Sequence, residues 1–247
     1  MTYPGLNMVA RVVWSPDGTR FLTTDDNGVR TWDATTGETT QTLTTNWTRS
    51  AVWSPDGTRI LTAGRGGVHM WDATTGRTTQ TLTTDRTNSA VWSPDGTRIL
   101  TTGLLGVHMW DTATGRTTQT LTTNSTFSAA WSPDGTRILT TDDNGVHMWD
   151  ATTGETTQTL TTNRTNSAAW SPDGTRILTT DDNGVHMWDA TTGETTQTLT
   201  TNRTNSAAWS PDGTRILTTG PHGVHMWDAT TGRTTQTLTT NSTFSAA

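Results

Sequence analysis

Val185 and Met187 alternate with His186 and Trp188 along Val185-His-Met-Trp-Asp189. A period of two predicts a β-strand. Arg176-Ile-Leu-Thr-Thr180 predicts a strand before it, Ser167-Ala-Ala-Trp170 a shorter one earlier still, and Glu194-Thr-Thr-Gln-Thr-Leu-Thr200 a polar strand after it. Turn signals separate the four. In Pro172-Asp-Gly174 proline presets φ and glycine accepts a positive φ. Asp181-Asp-Asn-Gly184 carries the Asn-Gly hairpin signal, and Thr191-Thr-Gly193 turns again. No stretch shows a sustained helical period. Four short strands joined by hairpins predict a twisted antiparallel sheet. Such a sheet cannot cover both its faces alone, so it must pack on copies of itself.

The copies are in the chain. Trp-Ser-Pro-Asp-Gly begins at Trp14, Trp53, Trp92, Trp131, Trp170 and Trp209, each 39 residues after the last. Trp-Asp keeps the same step at Trp32, Trp71, Trp110, Trp149, Trp188 and Trp227. A fixed period of this length marks a solenoid, a propeller or an array.

Ala-Trp-Ser-Pro-Asp-Gly, then Val-His-Met-Trp-Asp, then Thr-Gly with Leu six residues on, resembles the WD40 repeat. The likeness spans residues 7–240. It implies an all-β propeller of four-stranded blades, with strands a to d running from inside to outside. The implied blades are 7–45, 46–84, 85–123, 124–162, 163–201 and 202–240 of a single domain, with 241–247 a partial extra strand. A TolB-like six-bladed propeller also uses Trp-Ser-Pro-Asp-Gly, but the regular Trp-Asp and Thr-Gly elements favour WD40. The departures concern a buried polar tetrad. WD40 units usually carry Gly-His between strands d and a, and none stands in Leu160-Thr-Thr-Asn-Arg-Thr-Asn-Ser-Ala-Ala-Trp170. The family's tetrad aspartate, six residues before the Trp of Trp-Asp, is kept at Asp26, Asp143 and Asp182 and is Arg65, Leu104 and Pro221 elsewhere. The resemblance therefore gives Asp26, Asp143, Asp182 and the six Trp-Asp tryptophans structural roles.

Composition narrows the function classes. The net charge of −6 argues against a nonspecific nucleic-acid binder. With no Cys there is neither a disulfide framework nor a thiolate metal site. There is no apolar run long enough to cross a membrane as a helix, and Met1-Thr-Tyr-Pro-Gly-Leu-Asn7 lacks the regions of a signal peptide, so a cytoplasmic location is expected. All sixteen basic residues are Arg, as a GC-rich coding sequence or design would produce.

The candidate chemistry is thin. His69, His108, His147, His186 and His225 recur at one strand-c position, and equivalent places on adjacent blades lie too far apart to share an ion about 2 Å from each ligand. They read as strand residues. The paired acids at 25–26, 142–143 and 181–182 have no cation-loop spacing and read as turn residues. The Ser of Trp-Ser-Pro-Asp-Gly has no activating base fixed beside it. No enzyme activity, cofactor or metal is expected.

The repeats differ chiefly in two places. The b–c loop is Asp-Asp-Asn-Gly in three copies and a Gly-x-x-Gly form in the others, and the d–a connection also varies. In a four-stranded meander both emerge at the same end, the top face where WD40 proteins often bind peptides. Candidate binding residues are Trp47, Arg49, Arg65, Arg86, Leu104, Leu105, Phe127, Asp142, Arg164, Asp181, Arg203 and His222. Aromatic and Arg side chains are common interface anchors. Glu38, Glu155 and Glu194 follow Thr-Gly in copies with the acidic loop, and Arg77, Arg116 and Arg233 in the others, as if two module types were copied whole. The expected function is a non-enzymatic scaffold for a protein or peptide partner, without nucleic acid or membrane. The alternative is an engineered or recently amplified repeat whose main property is self-assembly. A closed monomer is expected, with pairing of blade edges between chains as the other outcome.

Overall fold

The computed structural model describes residues 11–25, 28–43, 47–83, 85–122, 124–161, 163–200, 202–221 and 223–239. Asp26, His222 and the part-strand expected at 241–247 lie outside them. Contacts divide the chain into two compact units, residues 1–125 and 126–247.

The first unit holds three antiparallel sheets. They are β1 (Arg11–Trp14), β2 (Arg20–Asp25), β3 (Gly28–Asp33) and β4 (Thr39–Leu43); β5 (Thr48–Trp53), β6 (Arg59–Gly64), β7 (Gly67–Asp72) and β8 (Thr78–Thr83); and β9 (Thr87–Trp92), β10 (Arg98–Gly103), β11 (Gly106–Asp111) and β12 (Thr117–Thr122). The second unit repeats the plan with β13 (Ser128–Trp131), β14 (Arg137–Asp142), β15 (Gly145–Asp150) and β16 (Thr156–Thr161); β17 (Thr165–Trp170), β18 (Arg176–Asp181), β19 (Gly184–Asp189) and β20 (Thr195–Thr200); and β21 (Ser206–Trp209), β22 (Arg215–Gly220), β23 (Gly223–Asp228) and β24 (Thr234–Thr239). Each sheet runs in chain order, a to d. The all-β class and the four strands per repeat are as the alternation predicted. Strand a reaches Thr165, two residues further back than its apolar part suggested.

The alternation sorts side chains onto two faces, and within each unit neighbouring sheets pack face to face. In the second unit Leu178, Val185, Met187 and Leu199 pack on Ala207, Ile216, Trp227 and Ala229 of the next sheet. The opposite face offers Ala168, Trp170, Ile177 and Ala190 to Leu139, Val146, Met148 and Leu160 of the sheet before. In the first unit Leu22, Val29 and Leu43 meet Ala51, Trp53, Ile60 and Trp71 in the same way. Each such aliphatic side chain contributes roughly 1.5–3 kcal/mol on burial. Strand d is mostly solvated: in β20 only Leu199 is buried. That is why a Thr-rich, weakly apolar sequence suffices there.

Polar links cross the same gap. Arg20, at the start of β2, lays its guanidinium 4.8 Å from the ring centroid of Trp53 in the next sheet. Its Nη1 donates to the Ala73 carbonyl at 2.7 Å. Arg176 repeats both contacts with Trp209 at 4.9 Å and the Ala229 carbonyl at 2.8 Å. The planar guanidinium stacks on one group and donates to another, which an ammonium does less well. On the outer strands Gln158 Nε2 donates to the Thr191 carbonyl at 2.8 Å.

Candidate binding loops

Antiparallel pairing decides which loops meet. Strand a begins where strand b ends, as in Thr165↔Asp181, Thr87↔Gly103 and Thr48↔Gly64. The d–a connection and the b–c loop therefore share one end of each sheet. The Pro-Asp-Gly and Thr-Gly turns occupy the other. Gly174, with φ of 70°, makes the tight corner of its turn.

In the first unit the variable residues gather around Trp47. The guanidiniums of Arg49 and Arg65 lie 5.3 and 5.1 Å from its ring centroid. The Arg65 N–H donates to the Trp47 carbonyl at 3.2 Å. Arg49 Nη1 donates to Asn88 Oδ1 at 2.7 Å. Leu104 and Leu105, at the corner of the third sheet's b–c loop, are 60% and 58% exposed. In the second unit Arg164 lies 5.3 Å over Phe127 while its Nε stands 3.3 Å from Asp143 Oδ1. Arg203 Nε stands 3.2 Å from Asp182 Oδ1. These two ion pairs are exposed, so solvent leaves each roughly 0–1 kcal/mol.

The acidic loop reverses two sequence expectations. Asp142 and Asp181, expected among the accessible binding residues, are buried at 4% and 3% exposure. Asp143 and Asp182, expected in buried structural roles, have side chains 70% and 72% exposed. The cause is a one-residue shift of the hairpin. The Asn-Gly pair does not form the corner; Asp182-Asn183 does, and Gly184 opens β19 with φ of 124°. Asp181 thus ends β18 opposite Gly184 and turns inward. Its Oδ1 accepts the Asn183 N–H at 2.7 Å and lies 3.9 Å from His186 Nε2. Asp142 does the same with Asn144 at 2.7 Å and His147 at 3.6 Å. In the first sheet Asp25 pairs instead with Arg30 Nη1 at 3.1 Å.

In the glycine-type loops the backbone of the d–a connection leans into the same place. A Cβ added to Gly220 would sit 2.9 Å from the Arg203 carbonyl oxygen, and one on Gly103 would sit 3.1 Å from that of Arg86. One on Gly64 would collide with the Trp47 carbonyl. Clefts lie beside two of these glycines. One of about 240 Å³ involves Gly103, His108 and Trp110. Another of about 370 Å³ involves Gly220, His225 and Trp227.

The comparisons with known proteins bear on the repeat itself. A family model described as WD domain, G-beta repeat, matches residues 2–33 and 37–72. A second, described as eukaryotic translation initiation factor eIF2A, matches residues 65–152 and again 141–232. These two matches begin 76 residues apart (141 minus 65), close to two repeat lengths, so the model reads the repeat twice. The chain belongs to the WD40-repeat family. No curated protein matches it. WD40 domains are typically non-catalytic and generally bind proteins or peptides.

In this WD40 chain one half of the family's polar tetrad is intact. The strand-c indole Nε1 donates to a strand-b threonine hydroxyl at 2.9 Å in each sheet: Trp32 to Thr23, Trp71 to Thr62, Trp110 to Thr101, Trp149 to Thr140, Trp188 to Thr179 and Trp227 to Thr218. The other half is rebuilt from different residues. The strand-c histidine shares a hydrogen bond with a strand-d threonine, as in His147 Nδ1 with Thr159 Oγ1 at 3.2 Å. In His147 and His186 the other ring nitrogen faces the buried aspartate, 3.6 and 3.9 Å away.

The repeated Ser and Asp of the WD40 turns serve the backbone. Ser171 Oγ donates to Asp173 Oδ1 at 2.5 Å and accepts the Arg176 N–H at 2.9 Å. The Ser171 hydroxyl and then the Thr175 N–H hold the Asp173 carboxyl at about 2, below its ordinary range. The Asp of Trp-Asp caps its turn likewise: Asp189 Oδ1 accepts the Thr191 and Thr192 N–H groups at 2.8 Å, which lowers its pKa. Among the described residues no group of three or more His or carboxylate side chains is placed to hold a metal ion. Sequence reading missed the Arg–Trp contacts between sheets. Their signal was an Arg two residues after each Pro-Asp-Gly, in step with the tryptophans.

Proposed function

We propose that this WD40 chain is a non-catalytic scaffold that captures a protein or peptide partner with its b–c loops and d–a connections. One observation carries the reading: most of the positions at which the repeats differ lie at that end of each sheet. They present Trp47 between two arginines, and Phe127 beneath Arg164. Aromatic rings held by Arg make rigid, partly desolvated anchors of the kind interfaces use. The Pro-Asp-Gly and Thr-Gly turns, nearly invariant between repeats, are taken up with their own backbone and with side chains of the preceding sheet.

A pull-down or peptide array on the purified chain tests this. Trp47→Ala, Arg49→Glu, Phe127→Ala and Arg164→Glu are each expected to weaken capture. Glu155→Arg and Glu194→Arg, at the opposite end of their sheets, should leave it unchanged. Weakening by the second pair alone would overturn the assignment.

A second reading, self-association, is favoured by the outer face of the first sheet. Val12 and Trp14 are 54% and 60% exposed there, whereas Trp53 at the equivalent position is 7% exposed. Sedimentation over a concentration series decides it. A mass above 26.7 kDa that Trp14→Arg lowers would support self-association, and a single species at 26.7 kDa would exclude it.

A further inference from the structure

We propose that the glycine-type b–c loop of the third sheet forms a carboxylate-accepting pocket, filled by an aspartate or glutamate side chain of a bound peptide. The inference rests on the loop end being the partner-binding surface, and it names one chemical feature of that partner.

The argument comes from sister repeats. Asp142 and Asp181 each bury a carboxylate against the N–H two residues on and the strand-c histidine. Counting back 39 residues from the repeat of Asp142, Gly103 replaces the aspartate, Leu105 replaces Asn144 and His108 replaces His147. The receiving groups remain. His108 Nδ1 shares its hydrogen bond with Thr120 Oγ1 at 3.0 Å, as His147 does with Thr159 at 3.2 Å, so the imidazole keeps its pose. Among the described residues neither His108 Nε2 nor the Leu105 N–H holds a hydrogen bond. Gly103, Leu105 and His108 all line the cleft of about 240 Å³, together with Trp110.

A spare cation stands at the mouth. Arg164 and Arg203 are paired with Asp143 and Asp182. The residue that corresponds to Asp143 for Arg86 is Arg65, since both pairs lie 78 positions earlier (143 minus 65, 164 minus 86). Among the described residues Arg86 has no ion pair, and it lines the cleft. Asp85 lines it too and opposes an anion, though it accepts a hydrogen bond from the Thr83 hydroxyl at 3.3 Å. The second sheet, also of glycine type, satisfies itself: His69 Nε2 lies 3.0 Å from the Gly66 carbonyl. The third sheet thus combines a buried-carboxylate site, an unpaired guanidinium and the exposed Leu104 and Leu105, which would favour an apolar residue beside the acid.

The test is an NMR titration of the full chain, labelled with ¹⁵N at His and Trp, with N-acetyl-Leu-Asp-Leu-amide and its Asn isostere. The acidic peptide is expected to shift the His108 ring and Trp110 indole signals to saturation, with the isostere about tenfold weaker or more, as for loss of a charged hydrogen bond. His108→Ala and Arg86→Ala should each weaken the response about tenfold. Asp85→Asn, the residue type of the other d–a connections, should strengthen it. Gly103→Asp should abolish it by supplying an internal carboxylate. Its Cβ is tight against the Arg86 carbonyl, so circular dichroism checks its fold, and the His108 and Arg86 variants decide if it fails. Equal shifts from both peptides, a response that survives His108→Ala, or tighter binding of inorganic phosphate than of acetate would overturn the proposal. The titration needs no protein partner, so a chain that captures no protein yet shows this response separates the two readings.

Discussion

The guanidinium of Arg137 lies 4.7 Å from the ring centroid of Trp170, in the neighbouring sheet. Its Nη1 and Nη2 also donate to the carbonyls of Ala190 at 2.6 Å and Gly174 at 3.2 Å. One side chain therefore joins a strand to the tryptophan and the turn of the next repeat. Arg137→Ala is expected to destabilise the chain by roughly 2–3 kcal/mol, the sum of a partly desolvated cation–π contact and lost hydrogen bonds. Arg137→Lys should recover less than half of that, because an ammonium cannot stack and reach both carbonyls. Urea denaturation measures both. Full recovery by Lys would show that charge alone matters.

The Trp149 indole is buried at 8% exposure and donates to Thr140 Oγ1. Trp149→Ala should cost roughly 3–5 kcal/mol, the range for emptying a large aromatic site. Trp149→Phe keeps most of the packing and leaves the Thr140 hydroxyl without its donor, for about 1–3 kcal/mol. A loss below about 1 kcal/mol for the Ala variant would contradict this packing.

Thr141 Oγ1 is buried without a hydrogen-bond partner among the described residues, as are Thr24, Thr102, Thr180 and Thr219 Oγ1 at the equivalent positions. The sixth equivalent is Ala63, which places an apolar side chain in the same site. Thr141→Val keeps the shape and removes the orphaned hydroxyl. It should be stabilising by about 1 kcal/mol. Destabilisation in thermal melts would mean that the hydroxyl is satisfied after all.

Acid should act through the turns. The carboxyls of Asp17, Asp173 and Asp212 are held at about 2, first by the neighbouring serine hydroxyl and then by a threonine N–H. A folded pKa below the unfolded value of about 3.9 contributes stability that is fully present above that value and lost as pH falls through the folded one. Melting temperature should therefore hold down to about pH 4 and fall between there and about pH 2. Asp173→Asn should flatten that fall. A constant melting temperature across the window would remove these turns from the account.

The repeat, its four strands and its turns were legible in the sequence because their causes are local. Alternation in Val185-His-Met-Trp orients a strand, and Pro172-Asp-Gly174 bends the chain with the φ angles those residues prefer. The end at which the variable loops emerge follows from the antiparallel order of four strands. The tertiary structure alone decided which aspartate of each acidic loop turns inward. Asp181 and Asp182 are alike in type and adjacent, and a shift of one residue in the hairpin corner exchanges buried for exposed. It also decided what Arg137 touches, since Trp170 is 33 positions away in sequence and adjacent only when two sheets stack (170 minus 137). The same holds for the space beside His108. A glycine at 103 reads in sequence as a permissive loop residue, and only packing shows it standing where sister repeats bury a carboxylate.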